Sequence, residues 1–98
     1  MRESVIEKYL VARVKELGGE VRKVQWIGRR GAPDRLVMMP VSALRSGAFS
    51  SVCAVWVELK ATGVKAEAHQ VREHFRMASM GQVVRVIDSI EKVDELLR

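Results

Sequence analysis

Near the start of the chain, Ile6, Leu10, Val14 and Leu17 recur at helical spacing, with Val5 and Tyr9 widening the apolar stripe. Gly18-Gly19 supplies a helix stop. From Glu20 to Ile27 the pattern changes: Val21, Val24 and Trp26 stand among charged residues, which predicts a strand. Gly28-Arg29-Arg30-Gly31-Ala32-Pro33 follows as a turn rich in breakers and positive charge. Arg35 to Met39 reads as a second short strand ended by Pro40, and Val52 to Lys60 as a third. Thr62-Gly63 then turns the chain into a helix from about Ala66 to Met80, with Val71, Phe75 and Ala78 expected on its core face and Gly81 as its cap. Gln82 to Ile87 is a fourth strand. The run Asp88-Ser89-Ile90-Glu91 is a capping-box pattern that opens a last helix through Leu97.

Helix, three strands, helix, strand, helix is an α/β order, and it closes most compactly as two or three layers around one mixed sheet. No repeat or linker divides residues 1–98, so one domain is expected. The connection from Val41 to Ser51 is unusually apolar for a solvated loop, with Ala43, Leu44, Ala48 and Phe49 in it. The stretch from Ala43 to Val52 is therefore a candidate subunit interface.

Composition narrows the function classes. With 48% hydrophobic and 30% charged residues the chain is neither disordered nor fibrous. No apolar run approaches the ~18 residues of a membrane span, and the start, MRESVIEKYL, lacks the apolar core of a signal peptide. Cys53 is the one cysteine, which rules out an internal disulfide or a multi-cysteine zinc site and makes a reducing cytoplasm the default setting. Seventeen Lys and Arg against twelve Asp and Glu give a net charge of +5. Such an excess favours polyanionic partners, nucleic acid first. Only five aromatic residues are present, too few for a single-strand stacking platform.

Two charged residues interrupt the third strand, "AVWVELKA". Because strand side chains alternate, Val55, Val57 and Leu59 share one face, while Trp56, Glu58 and Lys60 share the other. Glu58 and Lys60 could be a surface ion pair, or they could serve a site, since charges near a sheet centre are costly unless paired or bound to metal. Asp34 raises the same choice. It could cap a strand entry, or it could be projected by Pro33 from a rigid strand end as a ligand. Together, two carboxylates from neighbouring strands offer hard oxygen ligands for Mg²⁺ or Mn²⁺. A lysine beside them can stabilise charge on phosphoryl oxygens. That combination suits phosphodiester hydrolysis.

The run "GAPDRLV … WVELKATG … Q" resembles the PD-(D/E)xK nucleases, and more narrowly the virus-type replication-repair nuclease (VRR-NUC) module. The resemblance covers nearly the whole chain and implies a restriction-endonuclease-like αβββαβ(α) core, a central mixed four-stranded sheet flanked by helices. Carried over by position, it implies Asp34 and Glu58 as metal-binding carboxylates, the Leu59 carbonyl as a further ligand and Lys60 as the catalytic lysine. Gln70 corresponds to an accessory active-site residue. Glu7 corresponds to the acid of the first helix, expected at a second metal or a metal-bound water. Glu7 also has a local reading, because Ser4-Val5-Ile6-Glu7 fits a capping box. In many relatives a shorter hairpin joins the two motif strands, whereas here Pro40 to Ser51 intervenes, which leaves the substrate groove and the oligomer surface open. The family further implies Mg²⁺ or Mn²⁺ with no organic cofactor, and a cytoplasmic protein of bacterial or phage origin.

Arg22, Lys23, Arg29, Arg30 and Lys65 are candidates for phosphate contacts, which confer affinity and not sequence choice. His69 and His74 lie beside Arg72 and Arg76 on the second helix, where a solvated or phosphate-facing surface is expected instead of a zinc site. The leading expectation is an endonuclease for DNA, with branched DNA as substrate because stand-alone modules of the family resemble Holliday-junction resolvases. So small a chain acts on two strands most naturally as a homodimer. The alternatives are a non-catalytic nucleic-acid-binding module with the nuclease fold, and a small regulatory protein in which Glu58 and Lys60 merely pair.

Overall fold

The computed structural model describes residues 1–43 and 47–98; Leu44 and the side chain of Ala43 lie outside the described residues. Its elements are α1 (Glu3–Glu16), β1 (Glu20–Lys23), β2 (Arg35–Met38), β3 (Ala54–Leu59), α2 (Ala68–Ser79), β4 (Val84–Ile87) and α3 (Ile90–Leu96). The strands form one sheet in the order β1-β2-β3-β4, with antiparallel pairing up to β3 and parallel pairing between β3 and β4. α2 is the crossover that the parallel pair requires. The mixed four-stranded sheet flanked by helices is the architecture expected from the element order.

Val55, Val57 and Leu59 are buried on one face of β3, with Val37 beside them on β2. Ile6, Leu10 and Val14 of α1 and Val93, Leu96 and Leu97 of the α3 region complete that core. Tyr9 on α1 donates a 2.6 Å hydrogen bond to Asp94 on α3, which ties the two helices together. Val5 is exposed and does not widen the buried stripe. Ser89, not Asp88, caps α3, accepting the Lys92 N–H at 3.1 Å, while Asp88 pairs with the Lys92 ammonium at 2.9 Å.

The opposite sheet face carries Trp56 and Glu58 and is covered by α2, but not in the expected rotation. Val71 and Phe75 are 55% and 76% exposed and Ala78 is exposed, while Glu73 and Met77 are buried. Glu73 can turn inward because Arg29, from the β1–β2 connection, meets it at 3.0 Å, and Arg76 lies 3.5 Å away. A buried carboxylate paired with a distant arginine displaces the apolar stripe from the core.

The Pro40–Ser51 connection contains two 3-10 turns, Val41–Ala43 and Gly47–Phe49. Phe49 is fully buried, and Ala48 and Val52 pack against the same core. Core packing accounts for Phe49, Ala48 and Val52, whereas Val41 is 75% exposed, and the Ala43 side chain and Leu44, on which the interface expectation also drew, lie outside the described residues. No described helix is long and apolar enough to cross a membrane.

Candidate active site

The β2–β3 register brings the two motif carboxylates together. Arg35 pairs with Val57, so one step further along the antiparallel ladder Asp34 falls opposite Glu58 on the same sheet face. Directly opposed residues have Cβ atoms roughly 4.5–5.5 Å apart. Pro33 is fully buried, and its carbonyl accepts the Trp26 indole N–H at 2.8 Å. The Asp34 carbonyl accepts the Val24 N–H at 2.9 Å. Asp34 therefore leaves a fixed backbone with half of its side chain exposed.

The Pro33 ring has a second consequence. In β3 the N–H groups of Trp56 and Lys60 bond to β4 carbonyls, Val83 and Ile87, so the backbone groups of Val57 and Leu59 point to β2. The register sets Leu59 opposite Pro33, which has no N–H to donate. With the register continued two residues past Arg35 and Val57, the Leu59 carbonyl therefore receives no N–H from Pro33.

Arg35 is buried behind Asp34. Its Nη1 lies 2.9 Å from Asp34 Oδ1, and its Nε donates to Glu7 Oε2 at 2.6 Å. Burial works against the charge of Arg35, but the hydrogen bond to Glu7 and the charges of Asp34 and Glu7 hold its pKa above the usual value. Glu7 is thus the partner of Arg35. It is not a capping residue, because α1 begins at Glu3 after an Arg2 N-cap, which leaves Ser4 inside the helix with no capping bond. Glu3, one turn earlier on α1, adds its negative charge to the field at Glu58. The Met1 carbonyl accepts the Thr62 N–H at 3.0 Å, which pins this helix start beside the end of β3. Its spacing of four from Glu7 was the available signal in the sequence.

Glu58 is 12% exposed, and burial pushes its pKa up to about 7. The positive charge of Lys60 opposes that rise, whereas the negative charges of Asp34 and Glu3 reinforce it. His74 on α2 is equally enclosed, with Nε2 3.7 Å from Glu58 Oε1 and no hydrogen-bond partner among the described residues. This is not the solvated helix surface expected for it. Burial drives the His74 ring toward its neutral form, so the 3.7 Å contact is not a strong ion pair. Lys60 is half-buried, held by its N–H bond to Ile87 O at 3.0 Å.

Gln70 has a structural duty the sequence did not suggest. Its Oε1 accepts the Glu67 N–H at 2.8 Å, the return half of a capping box at the start of α2. Its amide nitrogen is left for other partners. Gly31 packs against this turn with a φ of 84°, and a Cβ there would sit 2.9 Å from the His69 carbonyl. The glycine lets the Arg-rich turn meet α2 closely.

The basic candidates divide. Arg22 pairs with Glu20, Arg29 with Glu73, and His69 Nδ1 lies 3.4 Å from Glu67. Arg76 also approaches Glu73, at 3.5 Å, whereas Lys23, Arg30, Lys65 and Arg72 are exposed with no ion pair among the described residues. Lys23 and Arg29 also line, with Trp26, an open basin that reaches Asp34.

Among the described residues no three His, Cys, Asp or Glu side chains form a ready-made metal cluster. Two carboxylates and a backbone carbonyl nevertheless suit Mg²⁺ or Mn²⁺. Such ions commonly bind one or two carboxylates and fill the remaining positions with water and substrate phosphate. The raised pKa of Glu58 comes first from burial, which leaves its charged form poorly compensated.

Fold and site together define an α/β protein of the PD-(D/E)xK nuclease type. No family model matches the sequence. A phage protein, "Putative nuclease p44" of Acyrthosiphon pisum secondary endosymbiont phage 1, is 42% identical over 89 residues, covering 91% of this chain and 85% of its own. A solved structure described as a VRR_NUC domain superposes with a TM-score of 0.77 at 38% identity, covering 96% of this chain and 91% of the other. The chain belongs to the VRR-NUC family.

Proposed function

We propose that this protein is a divalent-metal-dependent endonuclease that hydrolyses phosphodiester bonds in branched DNA as a homodimer. The observation that carries the reading is the cross-strand placement of Asp34 beside Glu58, with Lys60 two residues on and facing the same way. Asp34, Glu58 and the Leu59 carbonyl would hold the cation, which when bound supplies Lewis acidity to the scissile phosphate and acidifies water.

The residues of the chain do the remaining work. Arg35 fixes Asp34 through the 2.9 Å contact and is itself held by Glu7. Lys60 presents a cation to the phosphoryl oxygens and orients the attacking water. Glu3 adds a carboxylate on the α1 side, where the family pattern alone points to Glu7. The Gln70 amide nitrogen can donate to substrate while Oε1 keeps its cap. Lys23, Arg30 and Lys65 offer phosphate contacts at the rim, and their contribution is salt-dependent.

Support for DNA as substrate comes from the net charge of +5 and from the nuclease name of the phage relative. A panel of labelled linear, flapped, forked and four-way substrates, each with Mg²⁺, Mn²⁺ or EDTA, tests the proposal. Product is expected with either metal, fastest on branched DNA, and none in EDTA. No product under any condition removes the enzyme, and equal rates on linear and four-way DNA remove the branched preference. Sedimentation showing only monomer at micromolar concentration removes the homodimer.

A further inference from the structure

The connection between β1 and β2 is long for a hairpin, in which about two to five loop residues are usual. The ladder runs one pair past the strands, from Val24 N–H to Asp34 O, and residues 25–33 then project from it. The base of this projection is anchored on three sides. Trp26 donates to Pro33 O at 2.8 Å and packs on Trp56 with ring centroids 5.1 Å apart. Arg29 reaches Glu73 at 3.0 Å. Gly31 abuts the first turn of α2.

At the apex stands Ile27, 95% exposed, followed by Gly28 with a φ of 72° that folds the chain back. A large β-branched side chain held almost wholly in water is not there for stability, because it gains none of the burial free energy available to it. Its surroundings are cationic: Arg29 and Arg30 follow it, Lys23 stands at the loop base, and all three are exposed. Among the described residues neither Lys23 nor Arg30 forms an ion pair. The basin lined by Lys23, Trp26 and Arg29 leads from this loop to Asp34.

We propose that Ile27 is a wedge that enters the base stack of duplex DNA where stacking is already interrupted, while Lys23 and Arg30 hold the flanking phosphates. Aliphatic side chains inserted between base steps unstack them at a cost of a few kcal/mol, and that cost is lowest where pairing is broken. A wedge on a rigid base next to Asp34 therefore selects branch points over continuous duplex and sets the distance from branch to cut. The inference rests on the reading of the site as a DNA nuclease. A protein partner fits less well, because one apolar residue in a basic rim is far from the ~800 Å² per partner that stable interfaces bury. A second copy of this loop would also meet it with like charge.

The test uses the whole protein in EDTA, where no cleavage occurs. Its probe is a four-way junction with 2-aminopurine beside the branch, so it reads base unstacking whether or not the protein is an enzyme. Wild type is expected to raise the fluorescence on binding. Ile27→Ser is expected to lose most of that rise, and Ile27→Leu to retain it. With Mg²⁺ added, Ile27→Ser lowers the ratio of branched to linear cleavage by roughly tenfold. Nothing packs on Ile27, so Ile27→Ser melts with the parent protein. No fluorescence rise with wild type, or an equal rise with Ile27→Ser, overturns the wedge. A shift of Ile27→Ser from dimer to monomer with the fluorescence rise intact also overturns it, and makes Ile27 a subunit contact.

Discussion

Lys60→Ala is expected to bind a four-way junction within a fewfold of the parent affinity and to cleave it at least ~10²–10³-fold more slowly, the usual effect of removing one group that stabilises developing charge. The side chain follows Glu58 by two residues and shares its face, on a backbone fixed to Ile87. It is one of seventeen basic residues, so its loss removes little of the electrostatic attraction for DNA. Lys60→Arg is not a rescue, because a planar guanidinium on a longer stem cannot put a point charge at the same place. Single-turnover cleavage with Mg²⁺, together with anisotropy in EDTA, separates the two quantities. Parallel loss of binding and cleavage makes Lys60 a binding residue, and a parent protein without metal-dependent cleavage leaves only the non-catalytic module.

The sheet was legible because its signals are local. Alternation in "AVWVEL" sorts Val55, Val57 and Leu59 from Trp56 and Glu58, and the structure buries the first three. The α1 stripe of Ile6, Leu10 and Val14 is likewise a local pattern, and it too lies in the core. The juxtaposition of Asp34 and Glu58 followed from motif order, because consecutive strands usually pair. What stayed hidden depends on partners far away in sequence. Glu73 occupies the core side of α2 because Arg29, 44 residues earlier, neutralises it. Helical periodicity therefore favoured Val71 and Phe75, which the structure leaves in solvent. Glu7 matched a capping box, yet its partner is Arg35, 28 residues on. His74 read as surface because nothing in α2 itself announces that Glu58 lies beneath it. That the Leu59 carbonyl receives no N–H from Pro33 follows only once the register is known.

Glu58→Gln is expected to make the metal-free protein more stable above neutral pH while removing its response to divalent metal. The carboxyl group ordinarily titrates near 4.5, but burial raises it to about 7 in the folded chain. Between those values the folded state holds a proton that the unfolded chain has released, so stability falls as pH rises through this window and levels off above it. A shift of that size corresponds to on the order of 3 kcal/mol. Glutamine carries no charge to desolvate, so the variant loses this fall, keeps only the opposite, smaller trend that the buried neutral His74 gives toward low pH, and melts higher than the parent at the upper end. Cation binding closes most of that gap. At a hundredfold excess over its Kd, a ligand that binds only the folded state adds about 2.7 kcal/mol. The parent should gain this with Mn²⁺, and the variant, with Asp34 as the one carboxylate remaining of the pair, should not. Calorimetric melting across pH with EDTA or Mn²⁺ reads both effects. A parent-minus-variant stability difference that does not fall between pH 5 and 7.5 contradicts the buried carboxylate, because His74 contributes equally to both proteins. A glutamine variant still stabilised by Mn²⁺ puts the cation elsewhere. The stability lost to the unpaired Glu58 charge is then the cost of holding a ligand ready between Asp34 and Lys60, which ties the fold of β3 directly to its chemistry.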